Sequence, residues 1–270
     1  MMEQYVAYGL ALLIGIVMGM IGGGGSILTV PVFVYLLAMD KEPATACSLF
    51  VVGIVALVGG IRYLGKKQVD LVAAVAFLIP SVPAVYLTRK YLVQAIPESI
   101  FTNEWIDFTR GTFMMLLFSI VMIVAAISML RNQKKQIEQE GPGLFAATFS
   151  DYIKIFFEGA IVGVITGLIG AGGGFLIVPA LVLFAKIPMR IAIGTSLVII
   201  AVKSLIGFLG DIGQGYPIDW TFLIIFSVIA IIGLLLGVFF SAYVSSKQLK
   251  KGFGWFVLAI AVVILLKELL

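Results

Sequence analysis

The chain of 270 residues is 61% hydrophobic and only 12% charged, with 30 glycines, one cysteine, no histidine and a formal net charge of +4. A soluble domain is about 45–50% apolar and about 25% charged, so this composition cannot coat a water-soluble globule; it supplies about eight membrane spans of about 20 residues, nine or ten with the glycines counted. The missing histidine excludes a Ser-His-Asp triad, a His metal cluster and a His proton relay; the lone Cys47 excludes an intrachain disulfide or a Cys metal cluster; and the scattered bases suit loops beside anionic lipid rather than nucleic acid.

Polar breaks divide the chain into ten hydrophobic segments, all predicted as helices. The first, 4–21, lacks a basic leader region and a small-residue cleavage site and reads as a retained membrane segment. The second, 26–39, follows the run Gly22-Gly23-Gly24-Gly25 and has about 14 residues, which span about 21 Å against a hydrocarbon core of about 30 Å. Segments 44–64, 69–91 and 106–130 are long enough to cross. Between the last two, the stretch 92–107 is expected to form a short interfacial helix with Trp105 at headgroup level. Arg131–Gly143 (RNQKKQIEQEGPG) is the longest polar stretch and reads as a linker. Segments 151–169, 174–187, 190–210, 218–244 and 252–268 follow, and 174–187 is again short and again preceded by glycines.

The halves repeat. A shift of 148 lays Gly15–Gly60 on Gly163–Phe208 without a gap, with 15 identities in 46 pairs, among them Gly19, Ile21, Gly22, Gly24 and Gly25 on Gly167, Ile169, Gly170, Gly172 and Gly173, then Pro31 on Pro179 and Ser48 on Ser196. Internal repeats are common in transporters. With five segments per half the second copy is inverted, and the bases then sort 12 to one side and 5 to the other, with Lys203 inside a segment. The expected architecture is an all-α polytopic membrane protein: residues 1–130 a first transmembrane repeat, 131–150 a cytoplasmic linker and 151–270 a second repeat. Both termini lie outside, and the Gly-broken short helices sit near the midplane. Whether segments 26–39 and 174–187 re-enter or span is left open.

Unwound glycines at membrane depth are tolerable only where protein or a polar cavity covers the backbone. A helix restarting after such a break offers unpaired N–H groups and about half a positive charge, an anion site made of backbone. The candidate substrate-binding residues are therefore Gly22, Gly23, Gly24, Gly25 and Ser26 in the first copy and Gly170, Gly172, Gly173 and Gly174 in the second. Pro31 and Pro179 are expected to kink the short helices. The competing reading is that the glycines only let helices pack closely.

The pattern G-x-x-G-x-G-G-G-x-x-x-x-P at Gly167–Pro179, its near form at Gly19–Pro31, and A-x-G-T-S-L at Ala192–Leu197 resemble the sulfite exporter TauE/SafE family of membrane permeases. The resemblance covers essentially the whole chain. It implies a secondary transporter of a small sulfur-containing anion such as sulfite or an organosulfonate, working in the cell membrane by alternating access, through export or proton-linked exchange; the residues do not write the direction or the coupling ion. The alternative is an anion channel with duplicated glycine half-helix loops. The first copy departs from the pattern: Ser26 stands opposite Gly174, and Ala46-Cys47 opposite Gly194-Thr195.

Thr45, Cys47, Ser48, Thr195 and Ser196 open the third segment of each half and are candidate donors to the same anion; the alternative for the hydroxyls is a bond to the carbonyl one turn back, and for Cys47 simple packing. Lys203 is an ionisable group within a membrane segment, a functional hypothesis by default. It either faces the anion, pairs with Asp211, or snorkels to the interface. Glu158 is a candidate proton carrier or an interfacial glutamate, Asp107 and Arg110 are spaced to pair, and 210–219 reads as an outer loop or gate. Expected partners are the bilayer, a small anion and protons; no cofactor, metal or nucleic acid is implied.

Overall fold

The structure is a computed structural model, and it describes residues 2–23, 26–93, 95–97, 99–103, 106–131, 149–169, 174–183, 185–212 and 218–269. The central linker, Gly24, Gly25, Gly170, Gly172 and Gly173 lie outside the described residues, as does Trp105.

Among the described residues, ten α-helices follow the hydrophobic segments. In the first half these are α1 (Met2–Ile21), α2 (Ser26–Pro31), α3 (Lys41–Gly65), α4 (Leu71–Leu87) and α5 (Arg110–Arg131). In the second they are α6 (Phe149–Ile169), α7 (Gly174–Leu183), α8 (Met189–Ile212), α9 (Trp220–Ser241) and α10 (Ser246–Leu269). Among the described residues, seven helices are long and apolar enough to cross a membrane: α1, α3, α4 with its extension, α5, α8, α9 and α10. Large apolar side chains stay exposed along them, for example Leu71, Val75 and Ile79 on α4 and Ile224, Val228, Ile232 and Phe239 on α9. Such a belt is stable only against lipid.

The helix α2 continues past Pro31 as a π-helical turn, Val32–Leu36. Proline has no N–H to give to the α ladder, and the winding changes at that residue. Arg89 and Lys90 lie in a second π-helical stretch, Thr88–Val93, that lengthens α4. The expected interfacial helix over 92–107 is not formed: this π stretch ends at Val93, and an antiparallel hairpin, β1 (Ser99–Asn103) and β2 (Ile106–Thr109), takes its place. The alternation of apolar and polar residues in SIFTN and IDFT has a period of two, which suits a strand. Consequently the fifth hydrophobic segment starts as a helix at Arg110, not at 106.

Helix pairing is unchanged when the halves are exchanged. α1 packs on α9 and α6 on α4, while α3 packs on α8, α5 on α10 and α2 on α7. Small residues set the first two seams. A Cβ at Gly15 or Gly19 would strike the Ala230 or Leu234 carbonyl, and one at Gly233 or Gly237 the Leu12 or Ile16 carbonyl. On the other seam a Cβ at Gly159 would meet Phe77 O, and one at Gly163 would lie 2.8 Å from Ala84 Cβ. Glycine thus lets backbones touch, the usual basis of helix association in lipid. The central pair is the most internal: 67% of each of the α3 and α8 spans is buried, against 33–44% of the other five.

The match extends to backbone detail that the side chains do not announce. After the first short helix, Leu37 N–H donates to Val32 O (3.3 Å), Met39 N–H to Phe33 O (3.1 Å), and Ala38 between them has φ +50°. After the second, Ala185 N–H donates to Ala180 O (3.4 Å), Ile187 N–H to Leu181 O (2.9 Å), and Lys186 has φ +55°. Every one of these residues is displaced by 148. A left-handed residue closing a helix satisfies carbonyls that the helix cannot. Helices α4 and α9 also begin alike, with Asp70 and Asp219 accepting the Ala73 and Phe222 N–H groups through Oδ1 at 2.9 and 3.0 Å.

Contacts between loops define two ends. At one end the Asp70 N–H donates to Thr195 Oγ1 (2.9 Å), Arg190 donates to Val244 O (3.4 Å) and Tyr63 Oη donates to Gly19 O (3.0 Å). At the other, Phe50, Phe208 and Trp220 form a ring cluster with centroids 5.1, 5.8 and 6.2 Å apart, Lys267 Nζ lies 3.2 Å from the Tyr35 centroid, and Arg110 donates to Val93 O and Ile96 O at 3.4 Å each. Arg110 therefore caps the end of the α4 extension, a role not anticipated from its spacing to Asp107.

Candidate functional site

The helix α1 ends at Ile21 because its sequence passes into glycine, which loses about 1 kcal/mol per residue against alanine in a helix. Gly22 still donates its N–H to Met18 O (2.8 Å) but has φ +81°, a conformation that only glycine adopts without strain. The chain turns there and starts α2 at Ser26. In the second half α6 ends at Ile169 and α7 starts at Gly174. α2 and its π turn cover 11 residues and α7 covers ten, so each reaches only about 15–17 Å at about 1.5 Å per residue.

The structure brings the two breaks together against α8. A Cβ on Gly22 would lie 2.7 Å from Ser196 Oγ and 3.3 Å from Ile193 Cα. A Cβ on Gly23 would fall on the Gly174 carbonyl and 2.9 Å from Ile200 Cδ1. Gly22 thus sits level with Ile193 and Ser196, the fifth and eighth residues of α8, and Gly23 reaches the side chain of Ile200, the twelfth. Only backbone fits between the two halves here.

One stripe of α8 faces this region. Ile193, Ser196, Ile200 and Lys203 are spaced by three, four and three residues, which keeps them on one face of a helix. Ser196 Oγ donates to Ile193 O (2.8 Å) while sitting beside Gly22, so it makes the local bond and also faces the break. Thr195 points elsewhere: its Oγ1 holds the Asp70 N–H at the α3–α4 turn, and Gly194 beside it leaves space for Gln68 O. The Thr195 side chain thus serves the α3–α4 turn, while its neighbours Ile193 and Ser196 lie against Gly22. Ser48 and Cys47 are buried on α3, and Thr45 is half-buried one turn before Ser48. The side chain of Ser26 is outside the described residues.

Lys203 does not snorkel. It is 8% exposed, and its Nζ donates to Thr166 Oγ1 at 2.6 Å, one turn before α6 ends at the second break. Thr166 in turn donates to Gly163 O (3.2 Å) and is 2% exposed. Sequence reading missed Thr166, because its counterpart at a shift of 148 is Met18 and nothing local marks it as polar lining. The one available signal was its position four residues before Gly170.

Asp219, at the end of the expected outer loop or gate, is the N-cap of α9; residues 213–217 of that loop lie outside the described residues. Glu158 is half-buried on α6, and its Oε2 has no hydrogen-bond partner among the described residues.

Comparison with known proteins agrees with this architecture. A probable membrane transporter protein of Xylella fastidiosa is 30% identical over 260 residues, covering 94% of this chain and 91% of its own length. YunE of Bacillus subtilis, also a probable membrane transporter protein, is 29% identical over 226 residues and 79% of each chain. A further probable membrane transporter protein, from Methanocaldococcus jannaschii, is 27% identical over 222 residues, 77% of this chain and 74% of its own. The model of the family described as sulfite exporter TauE/SafE matches residues 7–264, nearly end to end. With its seven apolar spans the chain is a multi-pass membrane transporter, which places it outside the enzyme classes and in contact with the bilayer and a small substrate, and it belongs to the sulfite exporter TauE/SafE family.

Proposed function

We propose that the protein is a secondary carrier that exports a small sulfur-containing anion, sulfite or an organosulfonate, across the cell membrane. Residues 1–130 and 151–270 act as inverted repeats joined by a cytoplasmic linker, 131–150. The charge distribution supports this orientation. The end that holds the α3–α4 and α9–α10 turns carries Arg62, Lys66, Lys67, Arg190, Lys247 and Lys251, as a cytoplasmic face should.

The observation that carries the reading is the meeting of Gly23 with the Gly174 carbonyl beside Ile200, on the face of α8 that carries Ser196 and Lys203. Backbone N–H groups at a helix break inside a membrane protein need protein or a polar cavity to cover them. Gly24, Gly25, Gly170, Gly172, Gly173 and Gly174 then supply N–H donors to the anion and Ser48 a hydroxyl from α3, while Gly22, whose N–H is held by Met18 O, and Ser196, whose proton goes to Ile193 O, line the site. Lys203 supplies the positive charge. Alternating access follows from one repeat moving against the other around this fixed point, with protons as counter-ion.

The test is counterflow in proteoliposomes. Sulfite loaded on one side should accelerate uptake of labelled sulfite from the other, with saturation. Unitary currents in planar bilayers in place of saturating counterflow would show a channel and overturn the carrier.

A further inference from the structure

We infer that the end of the fold built from the α3–α4, α7–α8 and α9–α10 turns binds the phosphate headgroup of an anionic phospholipid, with the exposed rings of Phe239, Phe240 and Tyr243 against the lipid. Such a site serves a carrier and a channel alike, whatever the substrate. The three turns are tied together. The Asp70 N–H reaches Thr195 Oγ1 near the start of α8, Tyr63 Oη lies 3.4 Å from Ser241 Oγ at the end of α9, and Arg190 donates to Val244 O in the α9–α10 turn. Their bases therefore share one end of the molecule, and Lys66, Lys67, Lys186, Arg190, Lys247 and Lys251 are all exposed. Over 62–70, 184–190 and 242–251 the sequence has eight bases and one acid, Asp70. That acid is engaged, since its Oδ1 accepts the Ala73 N–H. Clustered bases that carboxylates do not offset attract an anion.

The duplication shows that the backbone does not require this charge. A shift of 148 lays the turn 184–190 on 36–42, and each closes with a left-handed residue, Lys186 at φ +55° and Ala38 at φ +50°. The first stretch holds two bases and no acid, the second one base and two acids, with Ala38 opposite Lys186 and Glu42 opposite Arg190. One turn geometry is thus built with either sign of charge. Membrane orientation needs bases only somewhere near the helix ends. It does not need them at left-handed positions, which suit glycine or asparagine. Yet Lys67, at φ +55°, sits at one such position and Lys186 at another. Among the described residues, Ala38 is the remaining non-glycine residue with positive φ. Both lysines belong to this end of the fold.

The aromatic residues favour a lipid over a soluble anion. Phe239, Phe240 and Tyr243 close α9 immediately before Val244, with ring centroids 5.8 Å (Phe239 to Phe240) and 5.2 Å (Phe239 to Tyr243) apart. They are 58%, 47% and 76% exposed. The α9 span ends at Ser241, so the two phenylalanines lie in its last turn and Tyr243 just beyond it. Tyrosine is enriched at that boundary, where its ring meets apolar chains and its hydroxyl meets headgroups. An anionic phospholipid matches both features at once, its phosphate on the bases and its chains along the rings. Basic surfaces between membrane helices bind such headgroups. A free anion uses the bases alone and leaves the rings bare.

The test is to add phosphatidylglycerol to the purified full-length protein in phosphatidylcholine micelles and to read the melting temperature. Phosphatidylglycerol should raise it saturably. The double variant Lys67→Asn, Lys186→Asn removes two charges where asparagine tolerates the left-handed backbone, so in phosphatidylcholine alone it should melt no lower than wild type. Its half-saturating phosphatidylglycerol content should rise about 25-fold, roughly fivefold for each base near a charged surface. Lys90→Gln, at the opposite end of the α3–α4 hairpin, should leave that content unchanged. A wild-type response in the double variant would overturn the site. An equal loss in Lys90→Gln would overturn it too, by showing attraction to net charge alone. Inorganic phosphate that stabilises as well as phosphatidylglycerol at equal concentration would overturn the lipid assignment. Should the asparagine variant melt lower in phosphatidylcholine, Lys247→Gln with Lys251→Gln takes its place, with the same loss expected and the same refutation if the response is wild-type.

Discussion

Replacing Gly23 by alanine separates the two roles that glycine plays in this protein. The new Cβ would overlap the Gly174 carbonyl and lie 2.9 Å from Ile200 Cδ1. The isoleucine methyl can rotate aside, but a carbonyl inside the backbone cannot. The two breaks must then move apart by on the order of 2 Å to reach ordinary contact near 3.5–4.0 Å. Overpacking of this kind costs about 1–3 kcal/mol, which is about 5- to 150-fold in a binding or rate constant if it falls on the transport step. A matched control exists at Gly233, where a Cβ would overlap the Leu12 carbonyl and lie 3.1 Å from Ile16 N, but on the α1–α9 seam. Both alanine variants should lower the melting temperature in detergent by similar amounts. Sulfite counterflow, normalised to folded protein in the vesicles, should fall steeply in Gly23→Ala and little in Gly233→Ala. Equal losses in the two, or wild-type flux in Gly23→Ala, would mean that the glycine break is only a packing device.

Other substitutions test separate parts of the account. Tyr63→Phe removes the donor to Gly19 O in the last turn of α1 and should cost about 1 kcal/mol of stability, read as a lower melting temperature with flux per folded molecule retained. Asp219→Ala removes the α9 cap at about 1 kcal/mol. Asp70→Ala should cost more, since the same turn also bonds Thr195; equal losses would argue against that coupling. In a Cys47→Ser background, Lys66→Cys and Lys90→Cys, both exposed and at opposite ends of the α3–α4 hairpin, should react with an impermeant maleimide from opposite sides of the membrane, Lys66→Cys from the cytoplasmic side only. Labelling of both from one face would overturn the proposed orientation.

Much of the fold was legible because lipid makes local hydropathy decisive. Every polar break longer than a few residues ended a helix, and the two glycine runs marked the short helices α2 and α7 within a few residues. The region 92–107 went wrong for a reason of the same kind. It is polar enough to sit outside the apolar spans, and there periodicity alone cannot separate a strand of four or five residues from a single helical turn. The glycines were only half readable. Their clustering announced the breaks, but which of the remaining ones bring backbones together depends on the opposing helix: Gly15, Gly19, Gly233 and Gly237 meet carbonyls, whereas Gly9 and Gly65 have nothing within 4 Å.

Composition by itself determined a lipid solvent, the polar breaks a set of helices, and the match at a shift of 148 a duplicated sequence. The sequence could not decide where side chains point across the duplication. Thr195 and Ser196 are neighbours in the chain, yet a helix turns about 100° per residue at 3.6 residues per turn; one holds the α3–α4 turn and the other faces Gly22. Lys203 had three open readings, and only the arrival of α6, with Thr166 2.6 Å away, removed one of them, the snorkelling one. Helix formation is governed by residues within a few positions of one another, so it is written locally. The partner of a buried lysine is chosen by packing between helices 37 residues apart in the chain, and that is settled only when they fold together.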